Sequence, residues 1–197
     1  PAWQPARREN ENVLLIGWRR DMYDMLYELD KYVRKGCVVT VLAPVPLEGR
    51  EELLEQGKAG RLQLKNIELD HTCGSTILRR DIEKCMRERT YSSVLVLASE
   101  EGSGVAPSST QPSAAAAVVA SGASASDSRA LTTLLLVRDI RQTIMAERAT
   151  QGAPGAAREE PGGFTLLGEI LDAETKDLVA AAGVSDYIMS NQLISKV

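Results

Sequence analysis

The chain has 197 residues, of which 44% are hydrophobic and 25% charged, and this composition is typical of one globular domain with a substantial core. The formal net charge of -4 excludes a broad cationic surface for nucleic acid or anionic lipid. Cys37, Cys73 and Cys85 are too few and too scattered for a disulfide framework or a zinc site, and they suit a reducing compartment. No apolar run approaches the roughly 20 residues that a membrane helix needs.

Apolar runs alternate along the chain with amphipathic segments. The apolar runs predict six strands, at residues 13–16, 38–42, 66–71, 93–98, 164–171 and 186–189. The segments between them predict helices from Asp21 to the stop at Gly36, at 48–56, from a Ser75 cap through Met86, from an Asp127 cap through Ile140, at 174–182 and from Asn191 onward. This alternation implies an α/β fold, a Rossmann-like doubly wound parallel sheet in the order 3-2-1-4-5-6 with helices on both faces.

Two low-complexity stretches interrupt this alternation. Residues 102–126 are almost all Ser, Ala, Gly and Pro, and residues 151–163 are rich in Gly, Pro and Ala. Neither stretch can bury enough apolar surface to offset the cost of ordering the chain, so we predict two flexible surface insertions, with a brief helix over 114–120 as the lesser alternative. The domain then spans 11–197 after a flexible segment at 1–10. Because the chain has no initiator methionine and stops within its last helix, we expect a fragment of a longer protein.

The turn after the first strand carries the main functional signal. A dinucleotide-binding turn has three glycines, two of which let the pyrophosphate and the helix approach the backbone. Gly17 occupies the first position, but Arg19 and Met22 occupy the other two, and Asp21 adds a negative charge where a phosphate would lie. The second strand also ends without the acidic residue that holds the ribose. We therefore expect no cofactor, and no NAD in the usual pose.

The same turn offers a different binding surface. We take Gly17, Trp18, Arg19, Arg20 and Asp21 as candidates for binding another anion or a neighbouring domain, because guanidinium groups pair with carboxylates and phosphates through two bonds. The alternative is a solvated or salt-bridged turn, with Arg20 paired to an acidic residue one helical turn later, at position 24.

No catalytic residue can be named from the remaining sequence. His71, the only histidine, lies at the carboxyl end of the third strand near Cys73, but no nucleophile motif accompanies it, so a structural or exposed role is favoured. Acidic residues cluster after the fourth and fifth strands, namely Glu100, Glu101, Asp127, Asp172 and Glu174. Their spacing is not that of a calcium-binding EF-hand loop, and the metal question stays open. We predict that Asp127 caps a helix and that Glu174 stabilises the start of the next helix.

Three blocks of this sequence resemble the CASTOR/POLLUX family of plant-type ion channels. The first is residues 14–22, with its Gly-Trp-Arg-Arg-Asp turn, and the second is residues 127–140. The third runs from Glu169 to Asp172, continues at Thr175 and Lys176, and ends with Ser-Asp-Tyr-Ile-Met-Ser-Asn at 185–191. The likeness covers nearly all of the chain outside the two insertions.

The resemblance implies an RCK-type regulatory domain, one unit of the gating ring of a homotetrameric cation channel. Its partners would be other RCK-type domains and a membrane pore domain, with no nucleic acid. The parent would lie in the nuclear envelope, with a plastid or other endomembrane as alternatives, and this domain in the adjoining soluble compartment. The family implies regulation by calcium, but no calcium ligand carries over to this sequence. The alternatives are an NAD(P)- or nucleotide-binding domain of an oxidoreductase and a soluble interaction module unrelated to a channel.

Overall fold

The computed structural model describes residues 11–19, 21–55, 63–98, 112–150, 164–172, 175 and 187–189. Six parallel strands form one sheet in the order β3-β2-β1-β4-β5-β6, which confirms the predicted fold class. The strands are β1 Asn12–Ile16, β2 Cys37–Ala43, β3 Ile67–Cys73, β4 Ser93–Val96, β5 Thr165–Ile170 and β6 Tyr187–Met189. The helices are α1 Met22–Tyr32, α2 Leu47–Glu55, α3 Arg79–Glu88 and α4 Pro112–Thr150.

Both faces of the sheet are covered, as the near-continuous apolar strands predict. In β1, Leu14 and Ile16 pack on one face with residues of α3 and α4, while Leu15 packs on the other face with residues of α1. The register pairs Ile16 with both Leu42 and Val96, so β1, β2 and β4 end at the same edge of the sheet. The chain reverses its direction of winding between β1 and β4, and this edge is where the fold places ligands.

The start of α4 differs from the sequence expectation. The helix begins at Pro112, so Asp127 lies in its interior and the predicted Asp127 cap is wrong. The flexible insertion was predicted over 102–126, and alanine, which has the strongest helix propensity, accounts for the helix over its part at 112–126. Residues 102–111 lie outside the described residues. Asp127 is completely buried, and its carboxylate accepts the backbone N–H groups of Leu171 and Asp172, at 2.8 Å each, just after β5.

Two other helix caps also differ. The predicted Ser75 cap is wrong, because α3 begins at Arg79 and the Ser75 N–H donates to the Asp81 carboxylate at 2.9 Å. Asp21 does occupy the cap position of α1 but makes no capping bond with its side chain. The insertion at 151–163, the helix at 174–182 beyond Thr175 and the helix from Asn191 lie outside the described residues.

Candidate functional site

The turn after β1 has a backbone that only glycine adopts easily. Gly17 has a φ of 116°, and its N–H donates to the Leu42 carbonyl at 2.9 Å. The next residue, Trp18, is 8% exposed and packs in the core cluster with Met22, which is 1% exposed. The backbone of the turn therefore requires the first glycine of the motif. The second and third glycine positions of a cofactor site are occupied by Arg19, which is ion-paired, and by Met22, whose side chain lies in the core.

Arg19 closes the turn through two carboxylates. Its Nε and Nη2 atoms donate to the two carboxylate oxygens of Asp21, at 2.7 and 2.8 Å, and its Nη1 donates to Glu169 of β5. Burial opposes the charge, but the bonds to Asp21 and Glu169 outweigh it and raise the pKa of Arg19. The Asp21 carboxylate therefore accepts from Arg19 and does not cap the N-terminus of α1.

Glu169 links the turn to the other half of the sheet. It is 7% exposed, and its second carboxylate oxygen accepts the N–H of Ala98, 3.1 Å away, just after β4. The Glu169 carboxylate therefore lies between the Arg19 guanidinium and a backbone N–H, at the crevice between β1 and β4. In a nucleotide-binding protein of this fold, a phosphate of the ligand would lie in such a position. The chain supplies its own anion at this point.

Arg50 forms a second cluster at the ends of β2 and β3. The residue is 0% exposed, and its five N–H donors meet five acceptors. Four of these are backbone carbonyls, those of Val45 at 2.8 Å, Val41 at 3.1 Å, Ala43 at 2.5 Å and Thr72 at 3.0 Å. The fifth is Nδ1 of His71, at 3.3 Å from Nη1. Burial lowers the pKa of Arg50.

The two clusters meet at Trp18. The Arg50 guanidinium lies over the indole at 5.6 Å from the ring centroid, and the His71 ring centroid is 6.4 Å from that of Trp18. Arg50 thus fills the edge of the sheet where a dinucleotide-binding protein would hold the ribose with a carboxylate. The contacts with Arg50 and His71 hold the indole of Trp18 within the domain.

Sequence reasoning missed Arg50 and Glu169. Arg50 stands in a short polar helix, where an arginine is ordinarily solvated, and Glu169 stands in an apolar strand without a motif around it. The one available signal was the acidic residue in β5, because a carboxylate inside a buried parallel strand needs a partner.

The other predicted residues that the structure describes do not assemble into a site. His71 contacts Arg50, whereas the exposed Cys73 places its Sγ 3.9 Å from the Pro44 carbonyl. Among the described residues, no group of three His, Cys, Asp or Glu side chains is arranged to hold a metal ion. Arg20, Glu100, Glu101 and Glu174 lie outside the described residues. Within the same described part of the chain, no helix is both long and apolar enough to cross a membrane.

Comparison with known proteins supplies the family. A scan of family models finds no match. The chain is 33% identical to the probable ion channel CASTOR of Oryza sativa subsp. japonica, over 94% of this chain and 20% of that protein. It is 32% identical to the ion channel DMI1 of Medicago truncatula, over 94% of this chain and 20% of that protein. It is 30% identical to the ion channel POLLUX of Lotus japonicus, over 99% of this chain and 21% of that protein.

The chain belongs to the CASTOR/POLLUX family. It spans about a fifth of the length of these relatives, so it corresponds to one segment of a CASTOR/POLLUX protein. All three relatives are named ion channels. The alignments leave out at most a few per cent of this chain, so they include the turn after β1 and the strand β5, which the Arg19–Glu169 pair connects.

Proposed function

We propose that this chain is a non-catalytic regulatory domain of a cation channel. It would be one RCK-type unit of a gating ring, which couples the binding of a ligand or ion to the opening of a pore. The observation that carries this proposal is the alignment of 94–99% of the chain with proteins named ion channels. A Rossmann-like sheet covered on both faces suits such a unit, because a packed core moves as a rigid body and transmits displacement.

The closed crevice supports a role without a nucleotide cofactor. Arg19 and Glu169 place charged side chains where the pyrophosphate would lie, and Arg50 fills the ribose side. A dinucleotide in the usual pose would have to break the Arg19–Glu169 pair and leave the nearly buried Glu169 carboxylate without its cation, which is costly. We therefore propose that the domain binds no NAD in that pose and carries no oxidoreductase activity.

The partners of the domain follow from the same proposal. They would be other RCK-type domains of the same homotetrameric channel and its membrane-embedded pore domain, with the parent in the nuclear envelope or another endomembrane. The net charge of -4 supports protein contacts over contacts to nucleic acid. The reading frame of the full-length parent should contain several apolar segments of about 20 residues. A parent with none of them would contradict the proposal.

Single-channel recording of the full-length parent tests the regulatory role. The channel is reconstituted in a planar lipid bilayer, and free Ca²⁺ is raised on the side of this domain, since the family resemblance implies calcium regulation. We expect Arg19→Gln to change the Ca²⁺ dependence of the open probability at unchanged unitary conductance, because a regulatory domain acts on the pore without lining it.

The matched control is Arg80→Gln, since the Arg80 side chain is 87% exposed and lies on α3, away from the β1 turn. We expect this variant to keep the wild-type open probability. An open probability that Arg19→Gln leaves unchanged at every Ca²⁺ concentration would contradict the proposal, and so would an altered unitary conductance.

A nucleotide screen tests the oxidoreductase alternative. Thermal unfolding of the chain is followed with NAD, NADH, NADPH and ATP at concentrations up to the millimolar range. We expect no saturable rise in Tm, since a ligand that binds only the folded state stabilises it in proportion to its occupancy. Saturable stabilisation by a nicotinamide nucleotide at micromolar concentration would favour the enzyme.

A further inference from the structure

Helix α3 has a small apolar contact with the rest of the domain. Three of its ten residues are buried, namely Ile82, Cys85 and Met86, and they pack in the core cluster that includes Leu42 of β2. Most of the stability of a helix in a protein comes from packing of its apolar face. With three side chains in that face, the contacts along the rim of α3 carry a larger share of its attachment.

A chain of alternating charges runs along that rim and joins α3 to α4. Arg79 of α3 donates to Asp139 of α4, and its Nε lies 3.4 Å from the Glu83 carboxylate of α3. Arg87 of α3 lies 2.7 Å from Glu83 on the other side. Its Nη1 and Nη2 atoms also donate to the two carboxylate oxygens of Glu147 of α4, at 2.7 and 3.1 Å. Each arginine therefore joins the two helices, and Glu83 joins the two arginines.

The geometry of this ion-pair chain makes it stronger than separate surface pairs. An isolated exposed pair contributes little to stability, whereas networks and two-bond arginine–carboxylate pairs contribute measurably. Glu83 has the least exposed side chain of the five, at 26%, and its charge is shared by both arginines. All five side chains remain in contact with water, so dissolved salt screens their attraction.

The link between the two helices can be cut without disturbing the other charges of α3. In the described part of the chain, the remaining ion pairs of this helix do not involve α4. They lie within the helix or join its end to β3, namely Arg80–Asp81, Lys84–Glu88 and Arg89–Asp70.

We propose that α3 is a lid that opens as one unit, and that the ion-pair chain sets the population of its open form. Folded proteins open locally in cooperative units, and elements with few buried apolar contacts open at the lowest cost. Opening separates Arg79 and Arg87 from α4 and exposes Cys85, which is 1% exposed in the closed form. A rise in ionic strength screens the ion pairs and favours the open form. This inference concerns the fold of the chain and does not depend on the channel function.

The alkylation rate of Cys85 measures this opening. Burial raises the pKa of the Cys85 thiol, and the thiolate is the reactive form, so the closed form resists iodoacetamide. Cys37 is also 1% exposed but lies in the core cluster on the other face of the sheet, so its rate reports unfolding of the whole domain. Both thiols are followed by mass spectrometry in a Cys73→Ser background, with free glutathione as the reference for intrinsic reactivity. We expect Cys85 to react faster than Cys37, and about two- to fivefold faster in 1 M NaCl than in 0.05 M NaCl.

Two variants cut the ion-pair chain from opposite sides. Glu83→Gln removes its central charge on α3, and Glu147→Gln removes a terminal charge on α4. We expect each to raise the low-salt rate of Cys85 about two- to fivefold and to weaken its dependence on salt. The matched control is Glu88→Gln, which removes the same charge from a residue whose ion pair lies within α3, and we expect it to keep the original rate. Equal rates for Cys85 and Cys37, a Cys85 rate that salt does not raise, or a control that acts like Glu83→Gln would overturn the proposal.

Discussion

Single buried charges decide how the carboxyl edge of this sheet is held. Arg50 is the clearest case, because it is completely buried and is bonded mostly to backbone carbonyls. Backbone carbonyls are acceptors that must be paired when buried, and each one left alone costs about 1–3 kcal/mol. Arg50 therefore holds the ends of β2 and β3 together, and the dipoles of the peptide groups balance its charge.

Replacing Arg50 with Met tests this role. We expect Arg50→Met to lower the free energy of unfolding by about 3 kcal/mol or more, since it strips several carbonyls of their donors at once. Chemical denaturation measures the change, and Arg80→Met is the control, because the Arg80 side chain is 87% exposed. A loss in Arg50→Met no larger than in Arg80→Met would mean that water reaches these carbonyls.

Asp30 is a second buried charge, and it makes stability depend on pH. It is 7% exposed, and its carboxylate accepts the backbone N–H groups of Asn66 at 2.8 Å, Ile67 at 2.9 Å and Lys65 at 3.1 Å. Burial raises the pKa of Asp30, but these bonds outweigh burial and hold the pKa below its ordinary value. The ionised form is therefore favoured more in the folded chain than in the unfolded chain.

The sign of the pH dependence follows from that lowered pKa. The stabilisation by Asp30 is complete above about pH 5, beyond the ordinary pKa of an unfolded Asp, and is lost as the pH falls through the folded pKa. We expect Asp30→Asn to cost about 1–3 kcal/mol at pH 7, and less at pH 3. Asp24→Asn, on the exposed side of the same helix, should change stability little. An Asp30→Asn cost that is the same at both pH values would refute this account.

At the scale of elements, α4 depends on a glycine in the strand beneath it. A Cβ added at Gly168 of β5 would overlap the Cδ1 atom of Leu134, which is completely buried on α4. The Leu134 side chain thus occupies the space that a side chain at position 168 would need. The same packing brings Asp127 to the end of β5, where it binds the Leu171 and Asp172 amides.

Substitution of Gly168 measures this close approach. We expect Gly168→Ala to lower the free energy of unfolding by about 1–3 kcal/mol through overpacking. In combination with Leu134→Ala, the loss should be smaller than the sum of the two single losses, because the shortened side chain makes room. Gly49→Ala is the control, since its added Cβ meets only Val45, at 3.8 Å, within helix α2. Additive losses at Gly168 and Leu134 would contradict the close packing.

The elements also show what the sequence can predict. Periodicity and apolar runs predicted the strand order and the residues of β1 and β2, because burial on both faces leaves a strong local signal. The start of α4 was not predictable from composition, since Ala-rich and Ser-rich sequence is compatible with either a helix or a flexible insertion. Asp30 and Glu169 were missed because their partners lie far away in the sequence, and only the folded topology brings them together. Arg50 was missed because most of its partners are backbone carbonyls, which carry no signal in the sequence.

At the scale of the whole molecule, one charge cluster joins the two halves of the sheet. Arg19 follows β1, Glu169 belongs to β5 and Ala98 follows β4, so the cluster spans the point where the winding reverses. A cofactor-binding relative of this fold uses that point for a ligand. Here the chain occupies it with its own carboxylate, so the crevice is closed by the chain's own charges.

A double-mutant cycle on Arg19 and Glu169 tests this claim most directly. The free energy of unfolding is measured for the wild type, Arg19→Gln, Glu169→Gln and the double variant, and for a parallel cycle on the exposed surface pair Arg79 and Asp139. Because the Glu169 side chain is only 8% exposed, we expect a favourable coupling of about 1–3 kcal/mol, clearly larger than in the surface cycle. A coupling for Arg19 and Glu169 no larger than that of the surface pair would contradict a crevice closed by its own charges.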